Sequence, residues 1–146
     1  MIVRALRNSN PGNLRQGPPW YGLMPPAQMT PAQRAETAFA VFESPVYGFR
    51  ALGIVLLNYQ REHHLDTIRQ IVTRWAPPNE NDTAAYIEHV AQAMQTGSDV
   101  PLNLSADNTL RGLMRAIAVH ESGGWFFEDA DLDAGAAAAL SAMRRS

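Results

Sequence analysis

Residues 75–86 read WAPPNENDTAAY, and this proline-interrupted loop sets the boundaries of the two segments around it. Proline fixes its own φ, lacks an amide donor and pushes the residue before it out of the helical region. Pro77 therefore predicts that the preceding helix ends at about Trp75. Asp82, or Asn81 next to it, has a side chain that can cap the following helix. The sequence thus predicts a helix–loop–helix unit, whose loop either braces the fold or presents a site.

Helical periodicity continues on both sides of this loop. Residues 46–62 are apolar nearly all round and predict a buried central helix, and residues 65–75 carry one apolar stripe, which predicts an amphipathic helix. Three further helices are predicted downstream, from Asp82 to a stop at Gly97, from Ser105 or Asp107 to a stop at Gly123, and from about Asp131 to the arginines at 144 and 145.

The N-terminal quarter has the composition of a loop. It is rich in Pro, Gly and Asn, and we expect an ordered segment that wraps over the helices, with one short helix beginning after Thr30. Residues 38–42, AFAVF, alternate in a way that predicts the one small β element. The chain is therefore predicted to be a single, mainly α domain over residues 1–146, with a loop-rich wrap at 1–37 and a compact helical body at 38–146.

The composition excludes several classes of chemistry. The 146 residues contain no Cys and no Lys, which removes thiolate catalysis, Cys-ligated zinc, lysine Schiff bases and P-loop phosphate binding. The net charge of −2 is unlike the basic balance of most nucleic-acid-binding proteins, so we expect no nucleic-acid partner. No stretch resembles a transmembrane helix, and residues 1–7 lack the apolar core of a signal peptide. We expect a protein made in the cytoplasm that does not insert into membranes and that another factor delivers or releases.

The sharpest catalytic candidate is Glu121, in the sequence HESGG of residues 120–124. It lies at the predicted end of a helix, where the negative pole of the helix dipole and the aromatic residues 125–127 both disfavour an ionised carboxylate. A carboxyl group that keeps its proton can serve as the general acid of glycoside cleavage. The alternative is an ordinary helix-end glutamate that pairs with Arg115 or with water.

Glycoside cleavage uses a second carboxylate on the other side of the scissile bond. The proline loop offers Glu80 and Asp82. Capping of the next helix is a sufficient reason for Asp82, which leaves Glu80 as the partner to test. The alternative for Glu80 is a local bond to loop amides or to an arginine.

Other polar and aromatic residues are candidates for binding sugar. Asn side chains can bind amides and hydroxyls, and aromatic rings can form a carbohydrate platform, although turn formation and core packing explain the same residue types. The candidate substrate-binding residues are Asn10, Asn13, Trp20, Tyr21, Tyr86, His120 and Trp125. The four histidines lack the paired i, i+4 spacing and intervening Glu of zinc peptidases, so we predict neither a metal site nor a cofactor.

Five short motifs occur in a fixed order along the chain. They are RNSNPGNL at residues 7–14, FAVF at 39–42, GFRAL at 48–52, WAPPNENDT at 75–83 followed by Tyr86, and HESG at 120–123. This combination resembles a family of small phage and prophage proteins described as virion or structural proteins and often suspected of acting on peptidoglycan. The resemblance covers about residues 4–125 and implies a phage setting and a muralytic role.

The segment IAVHESG, residues 117–123, is similar to the helix-end catalytic motif of lytic transglycosylases. This similarity implies a lysozyme-like domain in which Glu121 is the acid. In those enzymes the motif lies early in the domain, with substrate-binding segments after it, whereas here it lies close to the last residues of the sequence. A groove would therefore have to be built from upstream segments, and the long insertion at 18–36 would alter the mouth of such a cleft.

These observations together predict that a phage- or prophage-associated protein cleaves peptidoglycan glycan strands, as a muramidase or a lytic transglycosylase. Peptidoglycan and other virion proteins are the expected partners, and the expected place of action is the virion, or the periplasm and cell wall after delivery. The alternative is a non-catalytic virion structural or cell-wall-binding protein in which the same motifs brace the fold. A further alternative is a secreted antibacterial effector.

Overall fold

The computed structural model describes residues 3–145, and these form a mainly helical fold, as the sequence predicts. The described helices are α1 (Arg4–Arg7), α2 (Pro31–Arg34), α3 (Pro45–His63), α4 (Ile68–Trp75), α5 (Thr83–Met94), α6 (Asp107–Ser122) and α7 (Asp129–Arg144). A short 3-10 helix lies at Pro26–Gln28. The five long helices form the body, and α1, α2 and the loops around them pack against it.

Helix α3 is the centre of the body because it is apolar on most sides. Phe49 and Leu56 are completely buried within it. Helix α7 packs closely along α3. A Cβ atom added to Gly53 would lie 2.7 Å from the Cβ of Ala139, and a Cβ atom added to Gly135 would overlap the Cβ of Phe49. Small residues at these positions let the two helix backbones approach closely.

The main core lies between α3 and the four helices that follow it. Its largest completely buried side chains are Phe49, Leu52, Leu56, Ile68, Ile71, Val72, Leu104, Leu110, Leu113, Met114 and Ile117. Each such side chain stabilises the fold by about 1.5–3 kcal/mol relative to an exposed position. A smaller cluster of Leu14, Ala40, Phe42 and Ala51 attaches the N-terminal loops to α3.

The proline loop begins and ends where the sequence predicts. Helix α4 ends at Trp75, and the Asp82 carboxylate accepts a 3.1 Å hydrogen bond from the amide of Ala85, which makes Asp82 the N-cap of α5. The Thr83 hydroxyl donates to the carbonyl of Ala76 and so ties the two ends of the loop together. The loop therefore braces the turn between α4 and α5.

Two helix boundaries differ from prediction. Gln95, not Gly97, adopts the left-handed conformation that ends α5, with φ of 54°. Such a conformation is uncommon for a residue other than Gly, Asn or Asp, so the sequence pointed to the wrong position. Helix α7 begins at Asp129 rather than at about Asp131, because acidic residues at both positions suit the first turn of a helix.

The β element predicted at 38–42 is reduced to isolated bridges. The bridges pair Arg15 with Phe39 and Leu23 with Phe42, both antiparallel. The segment is extended and hydrogen-bonded on both edges, since the amide of Ala40 donates to the carbonyl of Leu14 and the amide of Met24 donates to that of Val41, each at 2.9 Å. Each neighbouring segment pairs with it over only a few residues, because the prolines at 18–19 and 25–26 supply no amide donors.

Glu36 fixes the N-terminal region to α1. Its side chain is completely buried, and its carboxylate accepts hydrogen bonds from Arg4, Arg7 and Asn8, each with a contact of 2.7–3.0 Å, and from the amide of Ala38 at 3.0 Å. The hydrogen bond from Arg4 is the largest of the causes that lower the pKa of Glu36 far below its ordinary value. Burial alone would raise this pKa, but the bonds from the backbone amides and from Asn8 lower it further. The sequence analysis assigned Glu36 no role, because its partners lie 28–32 positions away.

Candidate functional site

Glu121 lies in the last turn of α6, which ends where Gly123 adopts a left-handed φ of 77°. The half-buried carboxylate accepts two hydrogen bonds from distant parts of the chain. Oε2 accepts from the hydroxyl of Tyr86 at 2.8 Å, and Oε1 accepts from Nδ2 of Asn13 at 3.2 Å. The carboxylate thus joins α6 to α5 and to the N-terminal loop.

Asn13 reaches Glu121 because the loop around it is rigid. Asn13 has a left-handed φ of 49°, and its amide donates to the carbonyl of Asn10 at 3.0 Å. The side chain of Asn10 is completely buried and makes three hydrogen bonds of 2.9 Å with the backbone of Leu14 and Ala40. Asn10 therefore holds the loop, and its own amide faces the protein interior rather than a ligand.

Tyr86 presents its hydroxyl to Glu121 from the first turn of α5. Its ring stacks on that of His120, with centroids 3.6 Å apart and planes inclined by 25°. Burial, and then the negative charge of Glu121, raise the pKa of Tyr86 well above its ordinary value, while a hydrogen bond with Trp75 opposes them. The phenol therefore stays neutral and serves as a donor.

Glu121 opens onto a cleft of about 520 Å³ between the N-terminal loop, α3 and the proline loop. The lining residues are Gly12, Asn13, Leu14, Arg15, Phe39, Val55, Tyr59, Trp75, Ala76, Glu80, Asn81 and Glu121. Both carboxylates singled out from the sequence, Glu121 and Glu80, thus face one cleft. The Glu80 side chain is 59% exposed, and the Arg15 guanidinium lies 4.0 Å from it, a separation at which an exposed pair contributes little to stability.

A larger cavity of about 640 Å³ lies against the outer face of α5. Its lining includes one carboxylate, Glu88, and no aromatic ring. The cleft at Glu121 has two carboxylates, two Asn side chains and the rings of Phe39, Tyr59 and Trp75. Because polar groups that converge on aromatic walls are typical of ligand sites, the smaller cleft is the candidate site.

Comparison with known proteins gives the chain a family. The sequence is 33% identical over 125 residues to Protein P5 of Pseudoalteromonas phage PM2, an alignment that covers 83% of this chain and 72% of Protein P5. The chain belongs to the Protein P5 family. This membership confirms the phage association implied by the motifs at 7–14 and 75–83. No protein-family model matches the sequence.

The remaining aromatic candidates of this P5-family chain lie away from the cleft lining. Trp125 packs between Phe49 and Phe127, and its indole NH donates to Asp129 at 3.0 Å. Trp20 is half-buried against the small N-terminal cluster, and Tyr21 is 67% exposed. Trp125, Phe126 and Phe127 therefore do not supply the apolar surroundings expected at Glu121, whose carboxylate instead meets a phenol and an amide.

Two of the four histidines, which are far apart in the sequence, lie in contact in the structure. His89 and His120 come from α5 and α6, and their Nδ1 atoms lie 2.8 Å apart. Burial, and then the charge of His89, lower the pKa of His120, while Glu121 opposes the shift. The pair lies 31 positions apart in sequence, so no local spacing could have revealed it. Among residues 3–145 no group of three or more potential metal ligands occurs.

Several cleft residues of this P5-family protein were not predicted from the sequence to bind a ligand. They are Arg15, Phe39, Tyr59 and Asn81. Arg15 directly follows the motif at 7–14, and Phe39 lies within the motif at 39–42. These positions are the one indication in the sequence that could have identified the two residues. Across residues 3–145, none of the helices has the length and apolarity needed to cross a membrane.

Proposed function

We propose that this P5-family protein cleaves the glycan strands of peptidoglycan, with Glu121 as the general acid. The observation that carries the proposal is that Glu121 and Glu80 line a single cleft of about 520 Å³. Glycoside cleavage uses two carboxyl groups on opposite sides of the scissile bond. One protonates the leaving oxygen, and the other stabilises the oxocarbenium-like charge or activates water.

The walls of the cleft suit a sugar polymer. The rings of Phe39, Tyr59 and Trp75 offer apolar faces for the C–H groups of sugar rings. The Nδ2 group of Asn13 and the amide of Asn81 offer polar groups for hydroxyl and N-acetyl groups. Of the residues first considered for substrate binding, Asn13 contacts the ligand directly in this proposal. Tyr86 holds the Glu121 carboxylate through its hydrogen bond, and His120 stacks on the Tyr86 ring.

The Asn13 amide also supports an acid that must lose and regain a proton. Its Nδ2 donates to Oε1 of Glu121, while its Oδ1 is buried without a hydrogen-bond partner. Rotation of the amide by half a turn would present Oδ1 to a protonated Oε1, so the same residue can satisfy the carboxyl group in both protonation states. The Tyr86 hydroxyl holds Oε2 throughout.

Glu80 is the proposed second carboxylate. It lies on the proline loop and faces the cleft, with its charge partly balanced by Arg15 at 4.0 Å. An exposed, ionised carboxylate in that position can stabilise positive charge on the sugar ring. Asp82 is excluded from this role because it caps α5.

Peptidoglycan cleavage is an activity that a phage protein can use at two stages of infection. A phage meets peptidoglycan when its genome enters the host and when progeny leave. We therefore place the protein in the virion, alongside other virion proteins, or in the periplasm and cell wall after release.

A turbidity assay on purified cell walls, with product analysis, tests the proposal. The wild type is expected to clear the suspension, and Glu121→Gln to reduce the rate by at least about a hundredfold, the usual contribution of a general acid. Glu80→Gln should reduce the rate by a smaller factor. Glu62→Gln, at an exposed glutamate outside the cleft, is the matched control and should retain full activity. Equal rates for wild type and Glu121→Gln would remove Glu121 from the mechanism.

One observation favours a second candidate, a non-catalytic structural or wall-binding protein. The bonds from Asn13 and Tyr86 make Glu121 a brace between three segments of the chain. In that case the wild type would bind wall fragments without clearing them, and Glu121→Gln would lower the unfolding midpoint without changing any reaction.

A further inference from the structure

A continuous chain of side chains leads from His89 to Glu121. The Nδ1 atoms of His89 and His120 lie 2.8 Å apart, the His120 ring stacks on Tyr86 with centroids 3.6 Å apart, and the Tyr86 hydroxyl donates to Glu121 at 2.8 Å. His89 and Tyr86 come from α5, whereas His120 and Glu121 come from α6. The chain therefore crosses between the two helices three times.

The contact between the two imidazoles limits the number of protons that the pair can hold. One Nδ1 must carry hydrogen and donate, and the other must be bare and accept. A first added proton can enter on a free Nε2 of the donor ring, which leaves the bond intact and strengthens it by charge. A second proton would have to occupy the accepting Nδ1, which removes the bond and places two positive rings in contact.

We propose that His120, held by His89, is a positioning residue that sets the Tyr86 hydroxyl against Glu121, and that this arrangement lasts only while the histidine pair carries at most one added proton. The catalytic consequence rests on the proposed function, but the proton count and its effect on Tyr86 do not.

In the proposal His120, the ring that stacks on Tyr86, is the accepting ring. Within the described part of the chain, the titratable groups against it are His89 and Tyr86 from α5 and Glu121 from its own helix. Burial and the charge of His89 lower the pKa of His120, and these outweigh the opposing effect of Glu121. His120 thus stays neutral at pH values where an ordinary histidine is charged, and it gains its proton only in more acidic solution.

Protonation of His120 should release Tyr86 from Glu121. The ring loses its bond to His89 and is repelled by it, so the stack that fixes the Tyr86 ring is disturbed. Cleavage by Glu121 should then decline on the acidic side with the midpoint of His120. A variant that makes His120 easier to protonate should move that acidic limb to higher pH.

NMR titration of the histidine and Tyr86 ring signals in the intact protein tests the proton count. In the wild type we expect His120 to titrate at lower pH than an ordinary histidine, and the Tyr86 signals to shift with the His120 midpoint. His89→Ala should raise the His120 midpoint, whereas His64→Asn, which keeps a residue type that tolerates the left-handed φ of 57°, should leave it unchanged. His89→Gln replaces the alanine variant if that variant does not fold.

The pH profile of wall clearing tests the positioning role with the same variants. His89→Ala should move the acidic limb upward by the shift that NMR measures for His120, and His64→Asn should not. An ordinary His120 midpoint in the wild type, an unchanged His120 midpoint in His89→Ala, or Tyr86 signals that do not follow His120 would each overturn the proposal. So would an acidic limb that His89→Ala leaves in place, whatever the activity above it, since the pH dependence would then not come from the histidine pair. If the wild type clears no wall at any pH, the proposed function fails, and the NMR titration decides the histidine proposal alone.

Discussion

The hydroxyl of Tyr86 donates a 2.8 Å hydrogen bond to Oε2 of Glu121 and so joins the first turn of α5 to the last turn of α6. Burial keeps the pKa of this phenol well above its usual value, so the donor does not titrate in the neutral range. The orientation of Glu121 is therefore set by a neutral group that stays in place whether or not the carboxyl carries a proton.

Tyr86→Phe should separate this orienting role from packing. The ring and its stack on His120 remain, while the bond to the carboxylate is lost, which should cost about 1–3 kcal/mol of stability and at least about tenfold in wall-clearing rate. Urea unfolding and the turbidity assay measure the two effects. Tyr21→Phe, at a side chain that is 67% exposed, is the control and should match the wild type in both. An unchanged rate in Tyr86→Phe would show that Glu121 needs no such partner.

Asn13 can be dissected with two substitutions, because its side chain and its backbone have separate requirements. Asn13→Gly keeps the left-handed φ of 49° without strain but removes the amide, so stability should stay near that of the wild type while activity falls. Asn13→Ala removes the amide and adds backbone strain, so it should be less stable than the glycine variant by about 1 kcal/mol. Chemical denaturation of both variants checks the order. Equal stability of the two would contradict the role given to the backbone.

Glu36→Gln should destabilise the fold in a pH-dependent manner. Breaking a buried ion pair costs about 3–5 kcal/mol, and the lower end applies at pH 7 because Arg4 and Arg7 are partly exposed. The folded-state pKa lies far below the ordinary value of 4.5, so the ion pair contributes fully above about pH 4.5 and its contribution is lost as the pH falls below that value.

Urea unfolding at a series of pH values checks this expectation. The stability gap between wild type and Glu36→Gln should narrow on acidification from pH 5 towards about pH 2. Glu62→Gln, at an exposed glutamate, should differ from the wild type by less than about 0.5 kcal/mol throughout. A gap that stays constant with pH would mean that the charge of Glu36 is unimportant.

Two Gly→Ala substitutions in helices should have opposite effects. A Cβ at Gly135 would overlap Phe49 and lie 3.0 Å from the carbonyl of Val46, so Gly135→Ala must separate α3 from α7 and should cost about 1–3 kcal/mol or more. A Cβ at Gly112 meets nothing closer than 3.7 Å, so Gly112→Ala should stabilise α6 by up to about 1 kcal/mol. Thermal unfolding of the two variants measures the signs. A destabilising Gly112→Ala would show that the space beside this glycine cannot take a methyl group.

The sequence predicted those features that depend on near neighbours along the chain. Pro77 and Asp82 marked the two ends of the central loop, because backbone restriction and side-chain capping act within a few residues. The apolar periodicity of α3 marked it as the buried helix for the same reason. Helix type and the approximate position of α6 followed in the same way.

Features that depend on distant contacts were beyond such reasoning. The alternation at 38–42 suggested a strand, but strand formation depends on partners of sufficient length, which the proline-rich segments do not offer. Glu36 was overlooked because its arginine partners lie in α1. Likewise, aromatic neighbours in sequence suggested an apolar setting for Glu121, whereas the folded chain brings Asn13 and Tyr86 to it.

The hydrogen bond between Asn13 and Glu121 spans 108 positions of the chain. During synthesis the loop that carries Asn13 leaves the ribosome long before α6 exists, so one wall of the cleft is made 108 positions before the other. Contacts of such long range also form late in folding, because the intervening chain must first be ordered. A nascent or truncated chain that stops short of Glu121 consequently has no complete cleft.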